Sequence, residues 1–138
     1  LIAGQKIVIG DIEITPFAMK HPMCDFALRF SCGSACFTYS GDTVDNENII
    51  ASIAGSSVFL CDAAGIRRNY RENGPHLSVS RAAEIAKKAG IKLFLTHFHG
   101  DPSEALNEAL DVWSDVACVE EGATYLIDRR YERRSFER

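Results

Sequence analysis

The sequence has 138 residues, which is enough for one compact domain and too few for two. Apolar residues make up 46% and charged residues 25%, as in ordinary globular proteins, and no apolar run reaches the roughly 18–20 residues of a membrane span. The formal net charge of −4 argues against binding nucleic acid across the whole surface. We therefore expect a single domain over residues 1–138 that does not associate with membranes.

The chain ends and the cysteines add further expectations. The first residue is Leu1 and no signal-like segment follows it, which indicates part of a longer or processed chain. Residues 129–138 carry five Arg and two Glu and form a basic tail, interpreted as a solvated end that could touch RNA. An odd number of cysteines without a secretory signal favours reduced thiols and a cytoplasmic location. Cys32 and Cys36 flank a Gly-Ser turn and are expected to face each other across a hairpin.

The hydrophobic pattern predicts strands first and then an alternation of helices and strands. The segment 57–61 is almost entirely apolar, as in an interior strand covered on both faces. Asp45 is the expected N-cap of the first helix, and Asp101 followed by Pro102 is expected to open the last one. The predicted strands cover residues 6–10, 11–20, 26–31, 35–40, 57–61, 92–96, 116–119 and 124–128, and the predicted helices cover 46–54, 78–89 and 101–115. This order predicts an α/β fold with a mixed sheet.

Three potential metal ligands follow predicted strands. His21 and His97 each come after a strand, and Asp42 follows Gly41 at the end of another. Loops that leave strand ends along one edge of a sheet are where α/β proteins collect their sites. Two imidazoles and a carboxylate suit Zn²⁺, Mn²⁺ or Fe better than Ca²⁺. For each residue the alternative is an ordinary loop or turn position.

Four segments, in this order, resemble motifs of metallo-β-lactamase-fold hydrolases of the ribonuclease Z and phosphodiesterase type. They are Ile-Thr-Pro-Phe-Ala-Met-Lys-His at 14–21, Tyr-Ser-Gly-Asp-Thr at 39–43, His-Leu-Ser at 76–78 and Leu-Phe-Leu-Thr-His-Phe at 93–98. The resemblance covers nearly the whole chain and corresponds to the C-terminal half of such proteins. It implies half of an αββα sandwich, with a mixed sheet and helices on one face.

The resemblance also implies roles for individual residues. His21, Asp42 and His97 would be metal ligands, with Asp42 bridging two divalent ions, Zn²⁺ or Mn²⁺. A hydroxide held by both ions would attack a phosphodiester, and His76 would be a general acid or a phosphate-stabilising group. Without the resemblance, His76 would be interpreted as an exposed loop histidine after a proline.

An arginine-rich loop precedes His76. Guanidinium groups suit phosphate oxygens, so one of these arginines is expected to meet an anionic substrate. The alternative is a solvated loop. The candidates are Arg67, Arg68 and Arg71.

The segment 97–102, His-Phe-His-Gly-Asp-Pro, looks like the main metal motif of the same family, His-x-His-x-Asp-His, with Pro102 in place of the last histidine. Its position after Gly-Asp-Thr and before the last helix favours His97 as the final-motif ligand. His99 and Asp101 are then expected to be supporting or structural residues, with Asp101 as a helix N-cap.

The main His-x-His-x-Asp-His motif belongs to the N-terminal half of such proteins, which this sequence does not include. We therefore expect the chain to supply only part of a two-metal site, completed by a missing N-terminal half or a second subunit. The substrate would be a small-molecule or RNA phosphodiester. The alternative is a non-catalytic α/β binding or dimerisation module, in which exposed apolar strands favour a homodimer.

Overall fold

A computed structural model describes residues 1–128, so the basic tail predicted at 129–138 lies outside the described residues. None of the helices in this part of the chain is long and apolar enough to cross a bilayer. The elements in chain order are β1 (Ile7–Ile9), β2 (Ile12–Ala18), β3 (Phe26–Cys32), β4 (Ala35–Tyr39), α1 (Glu47–Ile53), β5 (Val58–Asp62), α2 (Val79–Ala89), β6 (Lys92–Thr96), α3 (Pro102–Leu110) and β7 (Val116–Cys118).

The seven strands form one mixed sheet in which spatial order follows chain order, from β1 to β7. The pairs from β1 to β4 are antiparallel, whereas β4, β5, β6 and β7 run parallel to one another. Each parallel connection contains a helix, as parallel strands require a crossover. The carboxyl ends of β4, β5 and β6 therefore meet at one edge of the sheet.

All three helices pack on the same face of the sheet. Alternate residues of β5 and β6 join the buried core with residues of α1, α2 and α3. On β4, the buried Thr38 hydroxyl donates to the carbonyl of Ser52 in α1. These contacts confirm the predicted mixed sheet with helices on one face. The inward-facing residues of β5 and β6 are Phe59, Cys61, Leu93 and Leu95.

Helix ends follow local capping chemistry, with one correction. The Ser78 side chain accepts from the Arg81 amide at the start of α2, and Gly90 ends that helix in a left-handed conformation. The N-cap of α1 is Asn46 and not Asp45, because the Asn46 side chain accepts from the Asn48 amide. Asp45 instead forms an exposed ion pair with Arg81.

Two predictions near the end of the chain were wrong, the length of the last helix and the existence of a final strand. Helix α3 stops at Leu110 instead of 115, since the chain turns there and the Trp113 indole donates to the carbonyl of Ile91. Residues 124–128 are not a strand. Tyr125 accepts from the Glu120 amide and packs its ring on Phe94, so its side chain holds the segment without a strand pairing.

The expected pairing of Cys32 with Cys36 was also wrong. In the register of β3 and β4, Cys36 lies opposite Ser31 and Cys32 lies opposite Ala35. Neighbouring cross-strand pairs point to opposite faces of a sheet, so the two thiols point away from each other. All five cysteines are free thiols.

Candidate metal centre

Chemically active side chains gather at the sheet edge where the parallel strands end. Asp42 follows β4, Asp62 is the last residue of β5, and His97 follows β6. His76 reaches the same place from the loop before α2. One potential ligand atom from each of these four residues lies within 4.8 Å of the others.

Two histidine–aspartate pairs make up this four-residue group. His97 Nδ1 lies 2.8 Å from Asp42 Oδ1, and His76 Nδ1 lies 2.5 Å from Asp62 Oδ2. The pairs adjoin, because His97 Nδ1 is also 4.0 Å from Asp62 Oδ1 and the His76 and His97 rings are 5.3 Å apart between centroids. In each pair a carboxylate can fix the orientation and tautomer of an imidazole.

Asp62 is held rigidly. Its side chain is 1% exposed, and Oδ1 accepts from the Ala64 amide at 2.7 Å. Its own amide donates to the Ser40 hydroxyl, which in turn donates to the carbonyl of Gly41. Ser40 thereby joins the end of β5 to the turn that carries Asp42.

Asp42 is positioned by a further carboxylate, that of Asp25. Asp25 Oδ2 accepts from the Asp42 amide at 2.9 Å, and its Oδ1 accepts from the Phe26 amide at 2.7 Å. Gly41 has a φ of +59°, and a Cβ there would lie 2.6 Å from Asp25 Oδ1. The turn therefore requires glycine both for its backbone conformation and for space.

His97 is the one residue other than glycine in residues 1–128 with a positive φ, of 58°. A side chain in this left-handed region costs about 1–3 kcal/mol and is typical of functional sites. The conformation directs the imidazole toward Asp42 and Asp62.

Asp101 caps α3 through the Ser103 amide, as predicted, and this hydrogen bond lowers the pKa of its carboxyl.

The four-residue group fits a divalent metal. Two imidazoles and two carboxylates form the N/O donor set that Zn²⁺ and similar ions use. Ligand atoms bonded at about 2.0–2.2 Å to one tetrahedral ion lie about 3.3–3.6 Å from one another. The observed limit of 4.8 Å therefore requires the ligand atoms to approach one another by about an ångström when a single ion binds.

Negative charge dominates the surroundings of this group. Burial, followed by the charges of Asp42, Asp25 and Asp62, raises the pKa of Tyr39. Burial, followed by the charge of Asp62, raises the pKa of the Cys61 thiol. Tyr39 and Cys61 both stay neutral near pH 7. The carboxylates of Asp25, Asp42 and Asp62 form a local negative field that a cation would neutralise.

The sequence prediction and the four-residue group overlap in part. Asp42, His76 and His97 lie in it, whereas His21 lies beside it, with its ring 6.1 Å from that of His76 between centroids. The role of His21 as a ligand remains a prediction. Asp62 was missed, although its place at the end of an apolar strand is the signal that identified Asp42.

The three candidate arginines have different surroundings. Arg68 forms an ion pair of 3.3 Å with Glu104 of α3, and the Arg67 amide donates to Glu108 at 2.6 Å. Arg71 lines a cavity that His76 also lines. Of the three candidates, Arg71 is therefore the one that shares a cavity with His76.

No protein-family model matches the sequence. An uncharacterized protein of Mycobacterium leprae, ML1173, is 33% identical over 98 residues, which are 70% of this chain and 34% of that protein. A ribonuclease Z of Lachnoclostridium phytofermentans is 31% identical over 86 residues, covering 57% of this chain and 28% of that enzyme. The chain thus spans about a third of the length of these relatives.

Solved structures support the fold. The metallo-β-lactamase-fold protein YhfI of Bacillus subtilis superposes with a TM-score of 0.81 at 25% identity, over 89% of this chain and 53% of YhfI. Zinc-bound PqqB of Methylobacterium extorquens gives a TM-score of 0.55 at 14% identity, over 86% of this chain and 52% of PqqB. The fold predicted from the four sequence motifs is confirmed by these matches.

Proposed function

We propose that this chain, which has half of the metallo-β-lactamase fold, supplies part of the active site of a metal-dependent phosphodiesterase. The observation that carries the proposal is the convergence of Asp42, Asp62, His76 and His97 at the carboxyl ends of the parallel strands. The sequence similarity to ribonuclease Z supports a phosphodiester as the substrate class. The fold by itself does not specify a substrate, since one fold hosts many reactions.

Asp42 and His97 would hold metal, with Asp62 and His21 as the nearest further candidates. When bound, divalent ions would act as Lewis acids on a phosphoryl oxygen and make the attacking water more acidic. Asp25, Gly41 and Ser40 would keep the Asp42 carboxylate in position for this task.

His76 is the proposed proton donor. Its Nδ1 is bound to the buried Asp62 carboxylate, so Nε2 is the nitrogen that would face the substrate. A proton from Nε2 would go to the leaving oxygen as the phosphorus–oxygen bond breaks. Asp62 would hold the ring in one orientation and face the positive charge that the imidazole carries before the transfer.

The rest of the site would come from chain that is not part of this sequence. The relatives are about three times as long as the aligned region, and the helices cover only one face of the sheet. We therefore propose that an N-terminal half, or a second subunit, completes the metal site from the uncovered side.

The test uses the full-length protein that contains this chain, with Asp42→Ala and the control Asp45→Asn. Asp45 lies three residues away and forms an exposed ion pair with Arg81. We expect Asp42→Ala to lose bound Zn²⁺ or Mn²⁺ and at least about 100-fold in hydrolysis of bis(p-nitrophenyl) phosphate, and the control to behave as wild type. Unchanged metal content and activity in Asp42→Ala would overturn the proposal.

The variant His76→Ala separates a proton donor from a ligand. Loss of a general acid lowers kcat by about 100- to 10,000-fold, while the metal content measured by mass spectrometry stays the same. If the metal is lost together with activity, His76 is a ligand and the assignment of the acid is wrong.

A second candidate function is a non-catalytic binding or dimerisation module. It is favoured by one observation, the apolar sheet face opposite the helices, which carries exposed residues such as Ile9 and Ile12. A full-length protein that dimerises without metal and hydrolyses no phosphodiester would support this alternative.

A further inference from the structure

The loop 66–77, which carries His76, is closed where its two ends meet. Gly65 and Ser78 form an isolated parallel β-bridge, and the first amide of α2 donates to the Gly65 carbonyl at 3.0 Å. The contact is tight, because a Cβ on Gly65 would overlap the carbonyl oxygen of Leu77. Two stretches of backbone therefore meet here in a way that only glycine allows.

Glu108 ties the same two ends together from α3. Its Oε2 accepts from the Arg67 amide at 2.6 Å, at the start of the loop. Its Oε1 accepts from the Ser80 hydroxyl at 2.6 Å and from the Ser80 amide at 3.2 Å, just after the loop. All three partners are donors, so a side chain that accepts at both oxygens is required to satisfy them.

The position of His76 depends on this closure. His76 directly precedes Leu77, whose side chain is 1% exposed and belongs to the core. The His76 ring bonds to Asp62, which lies three residues before Gly65 at the end of β5. The loop thus returns to the strand end that it leaves, and the separation of its two ends sets the place of the imidazole.

The middle of the loop offers little support of its own. Residues 67–73 are exposed, so burial does not hold their side chains in place. The buried contacts lie at the two ends, where Glu108 is 8% exposed and Ile66 is 4% exposed. A change at Glu108 would therefore reach His76 through the backbone of the loop ends.

We propose that Glu108 is a positioning residue for proton donation, because it holds together the ends of the loop that presents His76. This inference rests on the proposed phosphodiesterase function. In the reaction, a water oxygen forms a bond to phosphorus, and the bond from phosphorus to the leaving oxygen breaks. The leaving oxygen keeps the electron pair and takes the proton of His76, while the water loses a proton to solvent and His76 regains one from it. A displaced imidazole slows most the substrates whose leaving oxygen needs this proton.

The test compares two substrates of the full-length protein, well below the melting temperature of each variant. In bis(p-nitrophenyl) phosphate the leaving phenolate needs far less protonation than the alkoxide of the dinucleoside phosphate UpU. Glu108→Gln places an amide NH₂ group against one of the donors. We expect it to lower kcat for UpU at least about tenfold and kcat for bis(p-nitrophenyl) phosphate at most about twofold, with KM and metal content unchanged.

Glu104→Gln is the matched control. Glu104 lies on the same helix and contacts the same loop through Arg68, but on the exposed surface, so we expect wild-type rates for both substrates. Equal losses of kcat for the two substrates in Glu108→Gln would overturn the inference, since general damage to the fold does not distinguish leaving groups.

An NMR measurement separates this inference from the proposed function. The ring nitrogens of His76 give signals that report its contact with Asp62 whether or not the protein is a hydrolase. We expect Glu108→Gln to shift these signals and Glu104→Gln to leave them in place. Shifted signals in a protein that hydrolyses neither substrate would overturn the hydrolase proposal and leave the control of His76 by Glu108 standing. Unchanged signals in a protein that hydrolyses both substrates would overturn the positioning role and leave the hydrolase proposal standing.

Discussion

Asp25 shows how a residue outside the four-residue group can control one inside it. Its two carboxylate oxygens accept from two backbone amides, those of Phe26 and Asp42. Because both partners are donors, only a group that accepts at both positions satisfies them. The carboxylate thereby fixes the backbone of the turn, and with it the direction of the Asp42 side chain.

We predict that Asp25→Asn weakens metal binding by the full-length protein about tenfold. The asparagine NH₂ group would face one of the two amide donors, so one hydrogen bond is lost and the Asp42 turn loosens. Competition with a chelator measures the affinity. Asp45→Asn removes the same charge on the exposed surface and serves as the control. An Asp25→Asn protein with wild-type affinity would show that Asp25 has no positioning role.

At the scale of elements, Glu108 links two helices to the arginine-rich loop. This α3 residue is 8% exposed and accepts from the Ser80 amide and hydroxyl in the first turn of α2 and from the Arg67 amide. A carboxylate is favourable at a helix N-terminus, where amides lack partners within the helix. The same side chain anchors the start of the loop that carries Tyr70 and Arg71.

We predict that Glu108→Gln lowers the free energy of unfolding by about 1–3 kcal/mol, since an amide NH₂ would then face buried donors. Urea denaturation measures this change. Glu104→Gln on the same helix removes an exposed ion pair with Arg68 and should cost at most about 1 kcal/mol. Equal losses in the two variants would contradict the assigned role of Glu108.

The sequence predicted the site residues that depend on local rules and missed those that depend on distant contacts. Asp42 follows a strand and a glycine, and His97 follows an apolar strand, which are local signals. Asp62 also ends a strand, but its pairing with His76, which lies 14 residues further along the chain, gives no local signal, and Asp62 was interpreted as the start of a loop. Glu108 gives no local signal, since its contact with the Arg67 amide spans 41 residues.

The predicted ends of helices were also right where they depend on neighbouring residues and wrong where they depend on distant contacts. The N-cap of α3 comes from a neighbouring residue, Asp101, and was predicted correctly. The end of α3 depends on the Trp113 indole, which meets a carbonyl 22 residues away. No local pattern contains that contact, so the helix was predicted to continue.

At the scale of the whole molecule, the sheet has two unequal faces. The helices cover one face, and alternate residues of the strands form an apolar surface on the other. Exposed apolar surfaces of this extent mark interaction sites. The surface includes Ile9, Ile12, Ile14, Leu28, Phe30, Phe37, Tyr39 and Leu60, which are exposed or half-buried.

We predict that the isolated chain of residues 1–138 self-associates through this apolar face at micromolar concentration, because no second layer covers it in residues 1–128. Sedimentation equilibrium measures the association. Ile12, which is 42% exposed on this face, can be changed to lysine without disturbing the core, and Ile12→Lys should weaken association. Ile50 is 48% exposed on α1, on the helical side, so Ile50→Lys is the matched control and should associate as wild type does.

A monomeric wild-type chain, or equal effects of the two variants, would show that the apolar face is not the contact surface. Association lost only in Ile12→Lys would identify the face that the rest of the full-length protein is proposed to cover, and so the side from which the metal site is completed.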